Sequence, residues 1–238
     1  MRLKSKNIVN IFLILVGVAL NCTLLKAKKI IIVDIDFDNR QEVGLQLKII
    51  AGFSPKVIGI DVLYTNDSLS TDSILVGAIK SFKNIVMAAK LHNLDVPYPF
   101  WDSLELAHEK FNSNFIGFSN IYTESDRIIP EIPIQESYKG KMLSSFSYEI
   151  ARRSAPQLKR IKSKSLIIKR IPKTAHKIIR GKDILTGKHE SKDFENKIVL
   201  LGYIGDKFYL KRFGKKTISG IEIQAHFIEN LIHNYAIK

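Results

Sequence analysis

The chain has 238 residues, room for one sizeable domain or at most two small ones, and its 45% hydrophobic content is ample for a core. The formal net charge of +14 suits an anionic surface such as lipid, or simple compositional drift, because Lys, Ile and Asn are frequent throughout. No aromatic-studded basic motif or zinc-finger spacing accompanies the charge, so no nucleic-acid partner is expected, and the single cysteine, Cys22, excludes an intramolecular disulfide.

The amino terminus opens on MRLKSKN, with Arg2, Lys4 and Lys6, and continues as an apolar stretch from Ile8 to Leu25 broken only by Asn10, Asn21, Cys22 and Thr23. A spanning helix needs about 20 such residues, so this stretch is at the short end. It predicts a membrane anchor. A cleaved signal ending near Ala27, or lipidation at Cys22, would fit the same basic-then-apolar pattern. Lys26, Lys28 and Lys29 balance the basic start, so charge sets the orientation weakly. The division is therefore residues 1–27 as anchor or signal and 28–238 as one folded domain.

Within that domain, IIIVDID (30–36) predicts a buried strand. A helix follows from Asn39 to Gly52, with Val43, Leu45, Leu47, Ile49 and Ile50 as apolar positions. KVIGIDVLY places a second strand at 57–61. Thr71 or Asp72 caps a helix to about Phe82, with Ile74, Leu75, Ala78, Ile79 and Phe82 on one face. IVMAA (85–89) is a third strand. This β-α-β-α-β order implies right-handed crossovers and a parallel core. Pro97 and Pro99 mark a loop; a short helix is expected from Asp102 or Ser103 to about Phe111, then a strand at FIGF (115–118). IIPEIPI (128–134) carries two prolines and predicts an edge strand, and residues 143–153 a helix.

Residues 151–190 hold 13 basic side chains, from Arg152 to Lys188, against Asp183 and Glu190. SLIIKRI inside this stretch reads as a strand, whose basic residues form a solvated face or meet membrane headgroups. KIVLLG (197–202) is the last central strand. Residues 219–233 form an amphipathic helix with Ile221, Ala225, Ile228, Leu231 and Ile232 inward. The expected fold class is α/β, a central, mostly parallel sheet flanked by helices.

Three of the strand-like runs end on polar groups: Asp34 and Asp36 with Asp38 beyond, Asp61, and Gly202 to Asp206. Carboxylates gathered at a sheet edge can hold a hard cation, bind a small ligand, or cap strand and helix ends. Asp34-x-Asp36 also matches the nucleophile and acid/base spacing of haloacid-dehalogenase-like phosphatases, but Asp38 stands where that pattern expects Thr or Val, and no later Lys and carboxylate pair completes it. Gly202 and Gly205 around Tyr203 fit a tight turn better than a phosphate cradle. Glu222 lies in the first turn of the last helix, where the dipole favours a carboxylate. His226 reads as a packing histidine, and Trp101 as a recognition loop or a satellite core residue. The candidate ligand-binding residues are Asp34, Asp36, Asp61, Asp206 and Glu222. No catalytic residue or cofactor is assigned, and whether a metal binds stays open.

The order of these signatures resembles the CHASE type 2 domains, extracytoplasmic sensory modules attached to bacterial cyclases and histidine kinases. IIIVDID, then KVIGIDVLY, then Asp72 with Leu75 and Ala78 is similar to their first half. GFSNIYTESDRIIPEIPI resembles their Gly-Phe, Asp-x-Arg and proline-containing strand, with SSFSYEIAR as the short helix after it. KIVLLGYIGD and SGIEIQAHFIENLI resemble the closing strand and helix start, with Gln224 where the family tends to have His. The likeness spans residues 28–234. It implies a membrane-tethered extracytoplasmic sensor without enzymatic activity. Because the family usually continues into further transmembrane helices and an output domain, it also implies an accessory chain that signals through a separate membrane effector protein, with a small-molecule ligand of unknown identity. The alternatives are a metal-dependent phosphohydrolase using Asp34 and Asp36, and a basic scaffold protein at the membrane surface.

Overall fold

The structure is a computed structural model that describes residues 30–36, 38–67, 72–93, 101–124, 127–158, 161, 165–167, 176–205, 207–210 and 216–235. The anchor or signal segment, Pro97, Pro99, much of the basic stretch and Asp206 lie outside the described residues. Among the described residues, no helix is long and apolar enough to cross a membrane.

Chain order starts with β1 (Ile30–Asp34), α1 (Arg40–Gly52), β2 (Val57–Ile60), α2 (Asp72–Ser81) and β3 (Ile85–His92). Asn39 caps α1 by accepting the Glu42 N–H, 3.2 Å away. Two short strands, β4 (Ser103–Glu105) and β5 (Phe115–Phe118), flank a 3-10 turn at Glu109–Phe111. A strand-rich excursion follows: β6 (Tyr122–Glu124), β7 (Arg127–Pro133), β8 (Gln135–Tyr138) and β9 (Lys141–Ser144). The chain then forms α3 (Phe146–Ser154), β10 (Ser165–Ile167), β11 (Lys177–Arg180), α4 (Gly181–Leu185) and β12 (Ile198–Gly202). A hairpin of β13 (Lys207–Leu210) and β14 (Lys216–Ser219) leads into α5 (Gly220–Tyr235).

The central seven-stranded sheet runs β11-β1-β12-β2-β3-β4, with β5 also on β3. Every pairing in it is parallel except β3 with β4. The predicted parallel core is present, and the last strand, β12, inserts between β1 and β2. Side chains alternate across the sheet and feed two cores. Ile31, Val33, Ile58, Ile60, Val199 and Leu201 pack with α1, α2 and α4 through Val43, Leu47, Leu75, Ile79 and Ile184. Ile30, Ile32, Val57, Val86, Ile198 and Leu200 pack with α3 and α5 through Phe146, Ile150, Ile221, Ala225, Ile228 and Leu231. Each fully buried aliphatic side chain contributes about 1.5–3 kcal/mol, so the two layers together hold the sheet between them. Helices that follow strands stepping one way lie on one face, and α3, which follows a step back toward the far edge, lies on the other. Right-handed crossovers require that placement.

Three local expectations are corrected. The helix expected over 102–111 is strand β4 followed by the 3-10 turn. β3 pairs with β2 only through Met87, and Ser103–Glu105 then pairs with Lys90–His92. The backbone groups of the extended β3 need partners, and that demand outweighs a weak local cap signal. The His92 ring also meets Glu105 at 2.8 Å across this pair. Second, β7 is the middle strand of a small sheet, β10-β7-β6, despite Pro130 and Pro133. Its neighbours use different stretches: β10 takes Glu131–Pro133, and β6 takes Arg127 and Glu131 across an irregularity. Pro130 therefore falls beside a bulge and Pro133 at the strand's end, where a missing N–H is tolerated. Third, Leu45 is exposed, and Gly44 and Gln46 share the buried face of α1 with Val43, Leu47 and Ile50.

Candidate functional site

The sheet's carboxyl edge brings the polar strand ends together. Asp34 pairs with Gly202, and Leu201 with Ile60. One residue further, the register sets Asp34, Gly202 and Asp61 in a row over β1, β12 and β2. Adjacent strands are about 4.8 Å apart, so the backbones of Asp34 and Asp61 are about 10 Å apart across the sheet. β1 leads to α1 on one face, whereas β12 leads through the hairpin to α5 on the other. A crevice at the carboxyl ends of strands that diverge in this way is where open α/β sheets take ligands.

The five expected residues have different surroundings. Asp34 Oδ1 accepts the Ile204 N–H at 3.2 Å and so fastens the turn after β12 to the end of β1. Asp36 is exposed, and β1 has ended before it, so the alternation that would place it beside Asp34 stops. Glu222 Oε2 accepts from the Ser219 N–H at 2.9 Å and the Ser219 hydroxyl at 2.8 Å, while Ser219 Oγ accepts the Glu222 N–H at 3.4 Å. This reciprocal capping box starts α5. Asp206 lies outside the described residues. Asp61 lines a cavity.

That cavity, about 480 Å³, is bounded by Asp61–Leu63 after β2, Ala88 and Lys90 of β3, Ser119–Ile121 after β5, Tyr203 after β12, and Gly220 and Ile221 at the start of α5. Its size suits a small molecule. Burial pushes the Asp61 carboxyl up to about 6, and a hydrogen bond from the Ser119 side chain partly opposes the shift. Among the described residues Asp61 has no ion-pair partner, and Lys90 is the cation in the cavity wall. The Asn120 side chain completes the β3 edge, accepting the Leu91 N–H at 2.9 Å and donating to Leu91 O at 2.8 Å. Gln224, 1% exposed, donates through Nε2 to Ser119 O at 2.9 Å and is hydrogen-bonded by the Ser147 hydroxyl. α5 is thereby tied both to α3 and to the cavity wall.

Gly202 and Gly205 serve packing. A Cβ on Gly202 would stand 2.4 Å from Ile221 Cδ1, so the glycine lets α5 start against the strand end. A Cβ on Gly205 would overlap the Tyr203 ring, which lies back over it at the cavity mouth. Trp101 Nε1 donates to Glu136 Oε2 at 3.2 Å, which anchors its loop to the β8–β9 hairpin.

Asp61 and the strand-end crevice were legible as candidates in the sequence; Ser119, Asn120 and Lys90 were missed. Ser119 and Asn120 are the polar pair following FIGF, and Lys90 follows IVMAA; the pairing of β5 with β3 brings them to one edge. No curated protein and no solved structure matches the chain. The family model for the CHASE2 domain matches residues 19–238, and the chain belongs to that family of extracytoplasmic sensory domains.

Proposed function

We propose that this is a membrane-tethered, non-enzymatic sensory or accessory domain facing the extracytoplasmic side, and that it binds a small polar ligand in the crevice around Asp61. The binding event would be passed to a membrane effector protein. The carrying observation is the cavity of about 480 Å³ at the carboxyl ends of β2, β3, β5 and β12, with a partly buried carboxyl that lacks a cationic partner among the described residues. At neutral pH most of that carboxyl is ionised and poorly compensated, so a ligand carrying an ammonium or guanidinium group gains from facing it. Lys90 on another wall favours an anionic or hydrogen-bond-accepting group at the ligand's other end. The basic start and the apolar stretch 8–25 support the tether.

α5 is the element suited to report occupancy. Its first residues line the cavity, and Gln224 binds the carbonyl of Ser119, which lines the cavity with Asp61. A ligand that favours one position of Ser119 therefore biases α5 through direct contacts.

The test is a thermal-shift panel of small ammonium, guanidinium and zwitterionic compounds against the purified full chain at pH 7.5. One or more should raise Tm in the wild type and lose that effect in Asp61→Asn. Compounds that stabilise both proteins equally would overturn the assignment of the crevice. The phosphohydrolase alternative gains no support from the geometry, since Asp34 is bound to the Ile204 N–H and Asp36 lies past the strand end.

A further inference from the structure

We propose that His176, His226 and Glu229 form a site for a divalent transition-metal ion of the zinc class, independent of the crevice. His226 and Glu229 lie three residues apart on α5, so they share one helix face. His176 immediately precedes β11 and comes from the far edge of the sheet. Their ligand atoms converge from elements 50 residues apart. His176 Nε2 is 3.3 Å from His226 Nδ1, and Glu229 Oε2 is 3.8 Å from the former and 4.0 Å from the latter.

The geometry suits a metal well. Zn–N bonds of about 2.0–2.1 Å at tetrahedral angles set the two nitrogens about 3.3–3.4 Å apart. The histidine pair stands at that separation, with ring centroids 4.7 Å apart and planes tilted by 46°. Without an ion the same pair is held by a ring-to-ring hydrogen bond at that separation. The carboxylate is slightly wide of a tetrahedral edge, and a small side-chain rotation brings it in. The two imidazoles are held firmly, their side chains 6% and 4% exposed, while Glu229, at 51%, stands on the open side. Two buried nitrogens and one partly exposed carboxylate leave a fourth position for water or a partner's side chain. Two imidazoles with a carboxylate select zinc-class ions; Ca²⁺ and Mg²⁺ prefer all-oxygen shells.

The consequence is mechanical. The ion would clamp α5 to the start of the edge strand β11. His226 is six residues from Gly220, about 9 Å along the helix axis from the crevice end.

The experiment uses the full chain, stripped with a chelator and titrated with Zn²⁺ by calorimetry, and with Co²⁺ by visible absorption. The expected result is one equivalent of Zn²⁺ bound with Kd below about 10 µM and intense tetrahedral Co²⁺ bands. Glu229→Gln should weaken binding about 10-fold or more, and His176→Gln should abolish the Co²⁺ bands. His189→Gln, whose ring packs on Phe53 and Phe194 and not in the cluster, should bind as the wild type does. Far-UV circular dichroism establishes that each variant is folded. Because Glu229 is half-exposed, its variant gives a folded test even if a buried histidine variant fails. No stoichiometric binding, or binding unchanged in both Glu229→Gln and His176→Gln, would overturn the site.

Discussion

The buried amide of Gln224 donates to the carbonyl oxygen of Ser119 at 2.9 Å, and so connects the last helix to a residue that lines the cavity with Asp61. Gln224 also accepts the Ser147 hydroxyl, which closes a polar link among α5, α3 and the crevice. Gln224→Ala removes the side-chain donor to the Ser119 carbonyl, leaves the Ser147 hydroxyl only the backbone carbonyl of residue 224, and opens a void. The expected loss is about 2–4 kcal/mol, read as a lower denaturant midpoint with unchanged slope. A loss below about 0.5 kcal/mol would show that the link does not stabilise the fold.

Asp61 predicts a pH signature. Its pKa is raised in the folded chain, from 3.8 to about 6, by desolvation. The folded state therefore holds a proton that the unfolded state has released. Its stabilising contribution is complete below about pH 3.8 and is lost as pH rises through about 6. The shift corresponds to on the order of 3 kcal/mol as an upper bound. Asp61→Asn should raise stability at pH 7.5 by about 1–3 kcal/mol and change it little at pH 4. Denaturation curves at the two pH values measure the difference.

Asp72 is a structural carboxylate with a different prediction. It stands in the first turn of α2 while 2% exposed, with Arg40 NH1 at 3.0 Å from Oδ1 and Lys110 beside Oδ2. Arg40 also lies 5.2 Å over the Tyr64 ring and 5.5 Å over that of Phe111. Removing the anion leaves a largely buried guanidinium without its carboxylate, so Asp72→Ala should cost about 3–5 kcal/mol. Exchanging Asp72 for Asn should cost less, because the amide oxygen still accepts from Arg40 without the charge. Thermal unfolding of the two variants separates these effects.

A topology prediction follows from the proposed tether. A reporter fused after Lys238 should be active when it is a periplasmic alkaline phosphatase and silent when it is a cytoplasmic β-galactosidase. The opposite pattern would remove the extracytoplasmic reading for this chain.

The extent to which the fold could be read from sequence follows from what each signal depends on. IIIVD, KIVLLG and the 219–233 helix carry long apolar periodicities that burial enforces, and each is present within one or two residues of expectation. β4 depended on β3 outrunning β2, a fact of sheet register absent from the local sequence. The middle position of β7 depended on two partners sharing its length unequally. Among the site residues, Asp34 and Asp61 were visible because strand ends are. The capping roles of Asp34 and Glu222 required knowing that the Ile204 and Ser219 amides lie next to them. His176 carried no local signal, because its meaning comes from His226, 50 residues away.

Ligand binding is proposed to centre on Asp61, the carboxyl that faces the crevice. A carboxyl ¹³C NMR titration of aspartate-labelled full chain, with Asp61→Asn assigning the resonance, tests it most directly. Without ligand, Asp61 should titrate at about 6. A cationic compound which raises Tm should shift this resonance and lower its pKa, since a facing cation favours the carboxylate. An Asp61 titrating near the ordinary aspartate value of about 3.9, or a resonance unmoved by every stabilising compound, would contradict the account.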